Sequence, residues 1–554
     1  MHLSPPPPSS LPQSRSKRSS LREAKQLPFS ILDHCTTDLE EGLFSQAFDL
    51  LSSALTSGTG SAVAAQIPPV QHLAFAATLA VHPQLTSRTL SSDKHAAADD
   101  ALKYLRQVNA LLGPRNACLD KAFRFSNENG SSRNKRTNLR VSDAIGLDED
   151  ESVGQIRSSY ANKSSLWTHA DDFWSLVGWV FNCSVAHPQR WERWKLLLVL
   201  VLDILEDDLE DRLPQAQDVY KTGGNAAVQA CLKDSLLTQY LSTIGEGRNN
   251  KRRLMRAILA NGSRQSLAEF GEVWRHETKP PKQNEDERFN KRRKLDLDND
   301  EYGDYLDESD QDSPIGPLSR SRSATALPSA QPSGVASEAD DESGNEVNGA
   351  RTPNGSIASP GIEAFGDMES IHLRQRILAL LTHYCSMNPD QFLDNEDLFD
   401  LYTEFLRPLT LPVFQQFVLP TNPYLGPNSQ ASLNQMLLRP LLAATAPVYN
   451  ENALTQAEFE THYASYAANN TSVVDNAKVS LLLENLLGLL WNSRALKSTQ
   501  RLRNLVEQGN AARKEKAAFD GRRKVEVKAK VDEEATNVLE CSAERMLMVL
   551  DMAA

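Results

Sequence analysis

The chain has 554 residues, enough for roughly two to four domains, and its 40% apolar and 24% charged content is ordinary for a protein that folds around a core. The formal net charge of −13 disfavours nucleic-acid binding over the whole surface and leaves only a local basic patch for such a role. The mean hydropathy of −0.44 is low for a fully globular chain, so we expect part of the chain to be disordered.

The cysteines indicate free thiols in a reducing compartment. None is spaced as a CxxC pair, so neither a zinc site nor a dense disulfide framework is indicated. The chain also contains no P-loop, no dinucleotide-binding glycine motif, no HExxH and no nucleophile elbow. We therefore predict no cofactor, no metal and no enzymatic activity. The six cysteines are Cys35, Cys118, Cys183, Cys231, Cys385 and Cys541.

The first quarter of the chain predicts a tail, a helical region and an insert. Residues 1–26 are rich in Pro, Ser and basic residues and lack the apolar stretch of a secretory signal, so we predict a disordered tail. Residues 27–124 show apolar residues at helical spacing, and Gly113 with Pro114 ends the last of these helices. Residues 125–163 are mostly Ser, Asn, Arg and acids and predict a flexible insert.

Residues 164–279 predict the main core. Five of the seven tryptophans fall between 167 and 194, and large aromatic side chains supply much buried area. The helical pattern breaks at His187-Pro188, which predicts a helix pair, and Asp171 is a candidate N-cap of the first helix. A tryptophan-lined ligand groove is the alternative interpretation of this aromatic cluster.

The segment 190–212, RWERWKLLLVLVLDILEDDLEDR, combines seven apolar residues with a dense group of acids. The apolar run is too short for a membrane-spanning helix, which needs about 20 residues, and we predict no membrane contact. Its helical spacing favours a central core helix whose acids, between Glu206 and Asp211, emerge into water. An acidic docking patch for a basic partner is the second interpretation.

A third interpretation comes from the order DDLED. Asp207 and Asp211 are four residues apart and would share a helix face, where two carboxylates can hold Mg²⁺. This motif resembles the aspartate-rich motifs of all-helical isoprenoid diphosphate synthases. The resemblance implies a magnesium-dependent diphosphate enzyme with a second acidic motif, for which the nearest candidate is DNEDLFD between Asp394 and Asp400.

Residues 280–366 predict a disordered linker that carries regulatory signals. Four consecutive cations are typical of nuclear import, and residues 295–312 then hold nine acids and no cation. Four hydroxyl residues stand before proline or among acids, as in phosphorylation sites. The candidate import residues are Lys291, Arg292, Arg293 and Lys294, and the candidate phosphosites are Ser309, Ser313, Thr352 and Ser359.

Residues 367–493 predict a second helical region, and residues 494–554 a charged C-terminal helical extension. Between Arg494 and Val531 twelve Lys or Arg stand against four acids, which allows a solvated helix, a nucleic-acid contact or a contact with acidic protein. The last helix has an apolar stripe that docks on its own core or fills a partner's groove. The candidate basic contact residues are Arg513, Lys514, Lys516, Arg522, Arg523, Lys524, Lys528 and Lys530.

Taken together, these patterns predict an all-α fold of irregular helical-repeat-like or bundle architecture, with a long disordered internal loop and a charged C-terminal helix. The predicted function is a non-enzymatic nuclear scaffold or adaptor that binds protein partners through helical surfaces and is regulated by the phosphorylatable loop. The first alternative is a nucleic-acid-binding accessory subunit for chromatin or RNA processing that uses the basic C-terminal helix. The second is the diphosphate enzyme.

Overall fold

The computed structural model confirms the all-α fold. It describes residues 21–59, 63–125, 156–281, 361–446, 454–518 and 526–554, without the side chains of 222, 223 and 526–530. The residues on both sides of the segment 282–351 belong to one compact unit. In the described ranges no helix is long and apolar enough to cross a membrane.

The chain enters the fold through a short parallel pair of strands, β1 (Ala24–Gln26) and β2 (Ala65–Ile67). Residues 21–26 thus differ from the disordered tail that their composition predicts. The reason is Arg22, whose guanidinium donates to the carbonyl oxygens of Ser57 at 2.7 Å and Leu55 at 2.9 Å. These bonds tie the strand to the end of a helix that lies more than 30 residues later, which local composition does not reveal.

The first helical region contains eleven helices in the described residues and two 3₁₀ turns, Pro83–Leu85 and Asn162–Ser164. Two of the helices contain a non-helical residue, Gly113 in α4 and Gly224 in α8, both at positive φ. The helices are α1 (Phe29–Glu41), α2 (Phe44–Thr56), α3 (Val70–Val81), α4 (Ser92–Asn116), α5 (Leu119–Ala122), α6 (Leu166–His169), α7 (Phe173–Ala186), α8 (Pro188–Leu232), α9 (Leu236–Ser242), α10 (Arg248–Ile258) and α11 (Arg264–Glu269).

The helix pair at the centre of this region breaks where the sequence predicts it. Helix α7 ends at Ala186 and α8 begins at Pro188, because proline is tolerated in the first turn of a helix but excludes helical backbone before it. The N-cap of α7 is Asp172, whose Oδ1 accepts from the backbone N–H of Ser175 at 2.6 Å, and not the predicted Asp171. The cap therefore lies one residue later.

The second helical region begins with a 3₁₀ turn, Ile362–Phe365, and buries Phe365 inside the span that the sequence assigns to the linker. A second 3₁₀ turn follows at Pro389–Gln391, and a π turn at Phe459–Tyr463. The helices are α12 (Met368–Met387), α13 (Asn395–Leu406), α14 (Leu411–Val418), α15 (Pro427–Leu438), α16 (Gln456–Glu458), α17 (Val473–Asn492), α18 (Gln500–Ala518) and α19 (Glu526–Met552).

Helices α17, α18 and α19 pack against one another. Ser480 of α17 donates to Ser542 of α19 at 3.0 Å, and Glu484 binds Arg545 one turn later, so these two helices run parallel. Helix α18 runs antiparallel to α19. The apolar stripe of the last helix is buried on this group at Leu539, Met546 and Leu550, so it docks on its own core.

The two helical regions are joined by a fully buried arginine. Arg374 of α12 donates to the carbonyl oxygens of Ala260 at 2.7 Å and Ile258 at 2.9 Å, at the end of α10. Its guanidinium also lies 4.2 Å from the ring centroid of Phe181 in α7. Burial lowers the pKa of Arg374 to about 9, and these carbonyl groups compensate part of its lost hydration.

Candidate functional site

The acidic end of the segment 190–212 meets the second helical region through Arg376. Its Nε donates to Glu206 Oε1 at 2.5 Å, and its Nη2 donates to Glu206 Oε2 at 2.7 Å and to Asp203 Oδ1 at 2.5 Å. Burial opposes the charge of Arg376, but the two carboxylates outweigh burial and raise its pKa above the ordinary value. The arrangement is a bidentate, charge-assisted link between α8 and α12.

The two adjacent aspartates of the segment face other helices. Asp207 Oδ2 accepts from Asn109 Nδ2 of α4 at 2.6 Å. Asp208 accepts from Arg212 Nε at 2.8 Å and from the backbone N–H of Leu236, at the start of α9, at 3.2 Å. Burial raises the pKa of Asp208, and the neighbouring Arg212 opposes that rise. The carboxylates of α8 therefore form a joint that touches α4, α9 and α12.

The expectation that these acids emerge into water at a helix end is wrong for the helix end and for Asp207 and Asp208, whereas Glu210 is exposed. Helix α8 continues past them to Leu232, and Asp207 and Asp208 are 1% and 3% exposed. The partners come from parts of the chain that lie about 100 residues before and 170 residues after, as with Asn109 and Arg376. Local spacing cannot show such partners, so the acids alone predict a solvated end.

The structure does not assemble the predicted acidic motifs into a metal site. In the described part of the chain no group of three or more His, Cys, Asp or Glu side chains is placed to hold an ion. Asp394, the first acid of the second motif, instead caps α13 by accepting from the backbone N–H of Asp397 at 2.8 Å. Asp397 and Asp400 line an open cleft of about 290 Å³ opposite Arg248 and Lys251 of α10, with Glu404.

The five tryptophans between 167 and 194 lie in the core and line no open groove. All are at most 5% exposed, and Trp194 stacks on Trp274 with ring centroids 5.7 Å apart. The indole of Trp174 donates to the carbonyl of Tyr240 at 2.9 Å, and that of Trp191 donates to Asp367 Oδ2 at 2.9 Å. These contacts support the core interpretation and place α7 and α8 at its centre.

The basic C-terminal stretch is partly turned inward. Arg513 is fully buried and donates to the carbonyl of Tyr466 at 2.9 Å, and burial lowers its pKa to about 9. Lys516 donates to the carbonyl of Ala468, and Lys514, which is exposed, binds Glu540 at 2.7 Å. Arg522, Arg523 and Lys524 and the side chains of Lys528 and Lys530 lie outside the described residues.

The regulatory signals also fall outside the part of the chain that the structure describes. This holds for the predicted import run, Lys291, Arg292, Arg293 and Lys294. It also holds for the candidate phosphosites Ser309, Ser313, Thr352 and Ser359. Their predictions therefore stand on the sequence.

Three buried charged groups were missed by the sequence interpretation. Arg190 and Glu277 form an ion pair that is at most 1% exposed, and burial raises the pKa of Glu277. Lys478 of α17 donates to the carbonyl oxygens of Arg407 at 2.6 Å and Leu409 at 2.8 Å, just after α13, and burial lowers its pKa to about 8. A single cation inside an apolar helical stretch is the signal that could have found Lys478, and the sequence has no such signal for Arg190 or Glu277.

Comparison with known proteins gives no relative, since no family model, curated protein or solved structure matches the chain.

Proposed function

We propose that this protein is a non-enzymatic nuclear adaptor that binds protein partners through its helical surfaces. The main support for this proposal is that the acidic side chains of α8 bind other helices of the same chain. Asp203 and Glu206 bind Arg376 of α12, and Asp208 accepts from the backbone N–H of Leu236 in α9. Asp207 accepts from Asn109 of α4, so these carboxylates hold helices together. That role supports a rigid framework, and the burial of Asp207 against Asn109 disfavours the diphosphate enzyme, which needs the Asp207 carboxylate for Mg²⁺.

Several large apolar side chains on this framework lie in water. Phe29 is 81% exposed, Leu90 70%, Met548 59% and Met552 55%. Single exposed apolar residues are common, but neighbouring ones indicate protein contact. Met548 and Met552 stand one helical turn apart on α19 and therefore form such a neighbouring pair.

The alternative is a nucleic-acid-binding accessory subunit that uses the basic C-terminal helix. Phosphate binding scales with the number of cations that are free to meet phosphates. Arg513 and Lys516 donate to backbone carbonyl groups, which reduces the cations that are left for a phosphate backbone. The nucleic-acid alternative therefore depends on the cations between residues 522 and 530.

Nuclear residence and regulation are proposed from the segment 280–366. Replacement of Lys291, Arg292, Arg293 and Lys294 by alanine is expected to move the protein to the cytoplasm, as imaging of a fluorescent fusion would show. Unchanged nuclear accumulation would refute the assignment. Phosphate at Ser309 or Ser313 would add about −1.5 to −2 charges beside an already acidic run and so tune partner binding.

Purification of the tagged chain from nuclear extract, with and without nuclease, tests the proposed function. An adaptor retains its protein partners after nuclease treatment. Partners that vanish with nuclease would favour the nucleic-acid alternative. If no protein co-purifies under either condition, the adaptor proposal fails.

A further inference from the structure

The C-terminal ends of α17 and α19 lie side by side. Glu484 of α17 and Arg545 of α19 form a bidentate ion pair at 2.6 and 2.8 Å. Trp491 lies seven residues, two helical turns, after Glu484, and Met552 lies seven residues after Arg545. Because the two helices are parallel, Trp491 and Met552 occupy corresponding positions on them.

This end of the two helices carries an exposed apolar surface. Trp491 is 39% exposed, Met548 59% and Met552 55%. Gly488, between Glu484 and Trp491 on the same face of α17, leaves open space, because a Cβ atom built there would meet no atom within 4 Å. From the parallel register of α17 and α19 we infer that these three side chains and the open position at Gly488 form one apolar patch.

Two cations border the patch on the turn between α17 and α18. The turn is held in place by Gln456, whose Oε1 accepts from the backbone N–H of Lys497 at 2.8 Å and whose Nε2 donates to the carbonyl of Lys497 at 2.9 Å. Arg494 and Lys497 are exposed, and neither forms an ion pair with any described residue. Residues 491–503 contain four cations and no acid.

We propose that the surface formed by Gly488, Trp491, Arg494, Lys497, Met548 and Met552, the C-terminal patch, docks an amphipathic helix of a partner protein. The apolar stripe of that helix would cover the two methionines and Trp491, and its acidic end would meet Arg494 and Lys497. The inference rests on the adaptor function proposed above, and the C-terminal patch is the surface through which the adaptor would bind its partner.

The composition of the C-terminal patch favours a protein helix over nucleic acid. Two cations that have no ion pair among the described residues neutralise few phosphates, and one aromatic ring gives little base stacking. Methionine side chains are flexible and polarizable, and they adapt to the apolar face of a helix. A groove or patch with apolar anchors at helical spacing is a recurrent way to bind such a helix.

Fluorescence anisotropy with the full-length protein tests the inference. The probe is a labelled synthetic helix with a leucine stripe and glutamates in its N-terminal half, and the matched probe has lysines in place of the glutamates. We expect the glutamate helix to bind at least tenfold more tightly than the lysine helix. Equal binding of the two helices, or tighter binding of an RNA or DNA oligonucleotide of similar length, would overturn the inference.

Two variants locate the binding surface. Gly488→Gln places a side chain at the open position, where its Cβ atom meets no atom within 4 Å, and it improves helix propensity, so the variant is expected to fold. We expect it to weaken glutamate-helix binding at least tenfold. Arg494→Glu with Lys497→Glu is expected to do the same. Leu90→Ser, which removes a more exposed apolar residue of the first helical region, is the control and should bind as the wild type does. Unchanged binding by Gly488→Gln would overturn the inference.

The same variant separates this inference from the proposed function. If wild type and Gly488→Gln retain the same nuclease-resistant partners, the adaptor function stands and the C-terminal patch is not its surface. If the wild type retains none, the proposed function itself fails.

Discussion

Arg376 and Glu206 are 170 positions apart in sequence and are joined by two parallel hydrogen bonds of 2.5 and 2.7 Å. This ion pair is one reason why the helices before and after the segment 282–351 form one compact unit. Each side chain is 14% exposed, so the two charges depend on each other for solvation.

Arg376→Ala is expected to destabilise the protein by about 3 kcal/mol. The variant leaves the carboxylates of Asp203 and Glu206 in a partly buried site without their cation, which is costly. Urea unfolding followed by circular dichroism measures the change. Arg248→Ala is the matched control, because Arg248 is 78% exposed in its pair with Glu404, and exposed pairs contribute about 0–1 kcal/mol. Equal effects of the two variants would contradict the structural role of Arg376.

The first helical region should lose stability in mild acid because of His72. Its side chain is 1% exposed, and burial lowers its pKa to about 4. Between pH 6.5 and 4 the unfolded chain binds a proton that the folded chain does not, so the free energy of unfolding falls as pH falls. His72 accounts for about 3 kcal/mol of that loss, since each pKa unit corresponds to about 1.36 kcal/mol.

Unfolding titrations of His72→Gln between pH 7 and 5 check this expectation. The variant should lose less stability than the wild type over that interval. His82, whose pKa burial lowers to about 3, acts in the same direction and remains in the variant. His34→Gln, at a side chain that is 68% exposed, is the control. Parallel pH profiles for wild type and His72→Gln would show that His72 is not the group responsible.

The segment between the two helical regions should be removable. Glu277 binds Arg190 and Asp367 binds Trp191, so the chain on both sides of the segment is anchored to adjacent residues at the start of α8. Replacement of residues 284–358 by a flexible linker of about 12 residues shortens the loop, which is expected to raise the free energy of unfolding by about 1–2 kcal/mol. Thermal and urea unfolding measure this, and an unfolded or aggregated product would contradict it. Nuclear accumulation should be lost with the segment.

Magnesium with inorganic diphosphate should leave the melting temperature of the wild type unchanged. The diphosphate interpretation requires Asp207, which is 1% exposed and accepts from Asn109, so a magnesium ion would have to break that contact. Differential scanning fluorimetry with and without both ions checks this. A magnesium-dependent rise that disappears in Asp207→Asn would revive the enzyme.

Local sequence patterns were sufficient to predict the helices and their buried faces. They were insufficient to predict which charged side chains the helices use to contact one another. The break at His187-Pro188 and the buried stripe of the last helix follow from proline geometry and helical spacing, and both are confirmed. The cap of α7 was misplaced by one residue because Asp171 and Asp172 are equally good capping residues.

The candidate site could not be predicted in the same way. The residues around Asp207 and Asp208 look the same whether these acids are buried or at a solvated helix end, because their partners come from the distant helices α4 and α9. Similarly, twelve cations between 494 and 531 indicate a basic surface, yet Arg513 is buried and donates to Tyr466. A count of charges along the chain therefore overestimates the charge that is free to bind a partner.

The adaptor function is tested most directly by the copy number of its partners. The tagged chain would be purified from nuclease-treated nuclear extract, and the molar ratio of each co-purifying protein would be determined by quantitative mass spectrometry. The adaptor function predicts at least one partner near a one-to-one ratio that is unchanged by nuclease. Partners that are all far below that ratio, or that are lost with the nucleic acid, would contradict it.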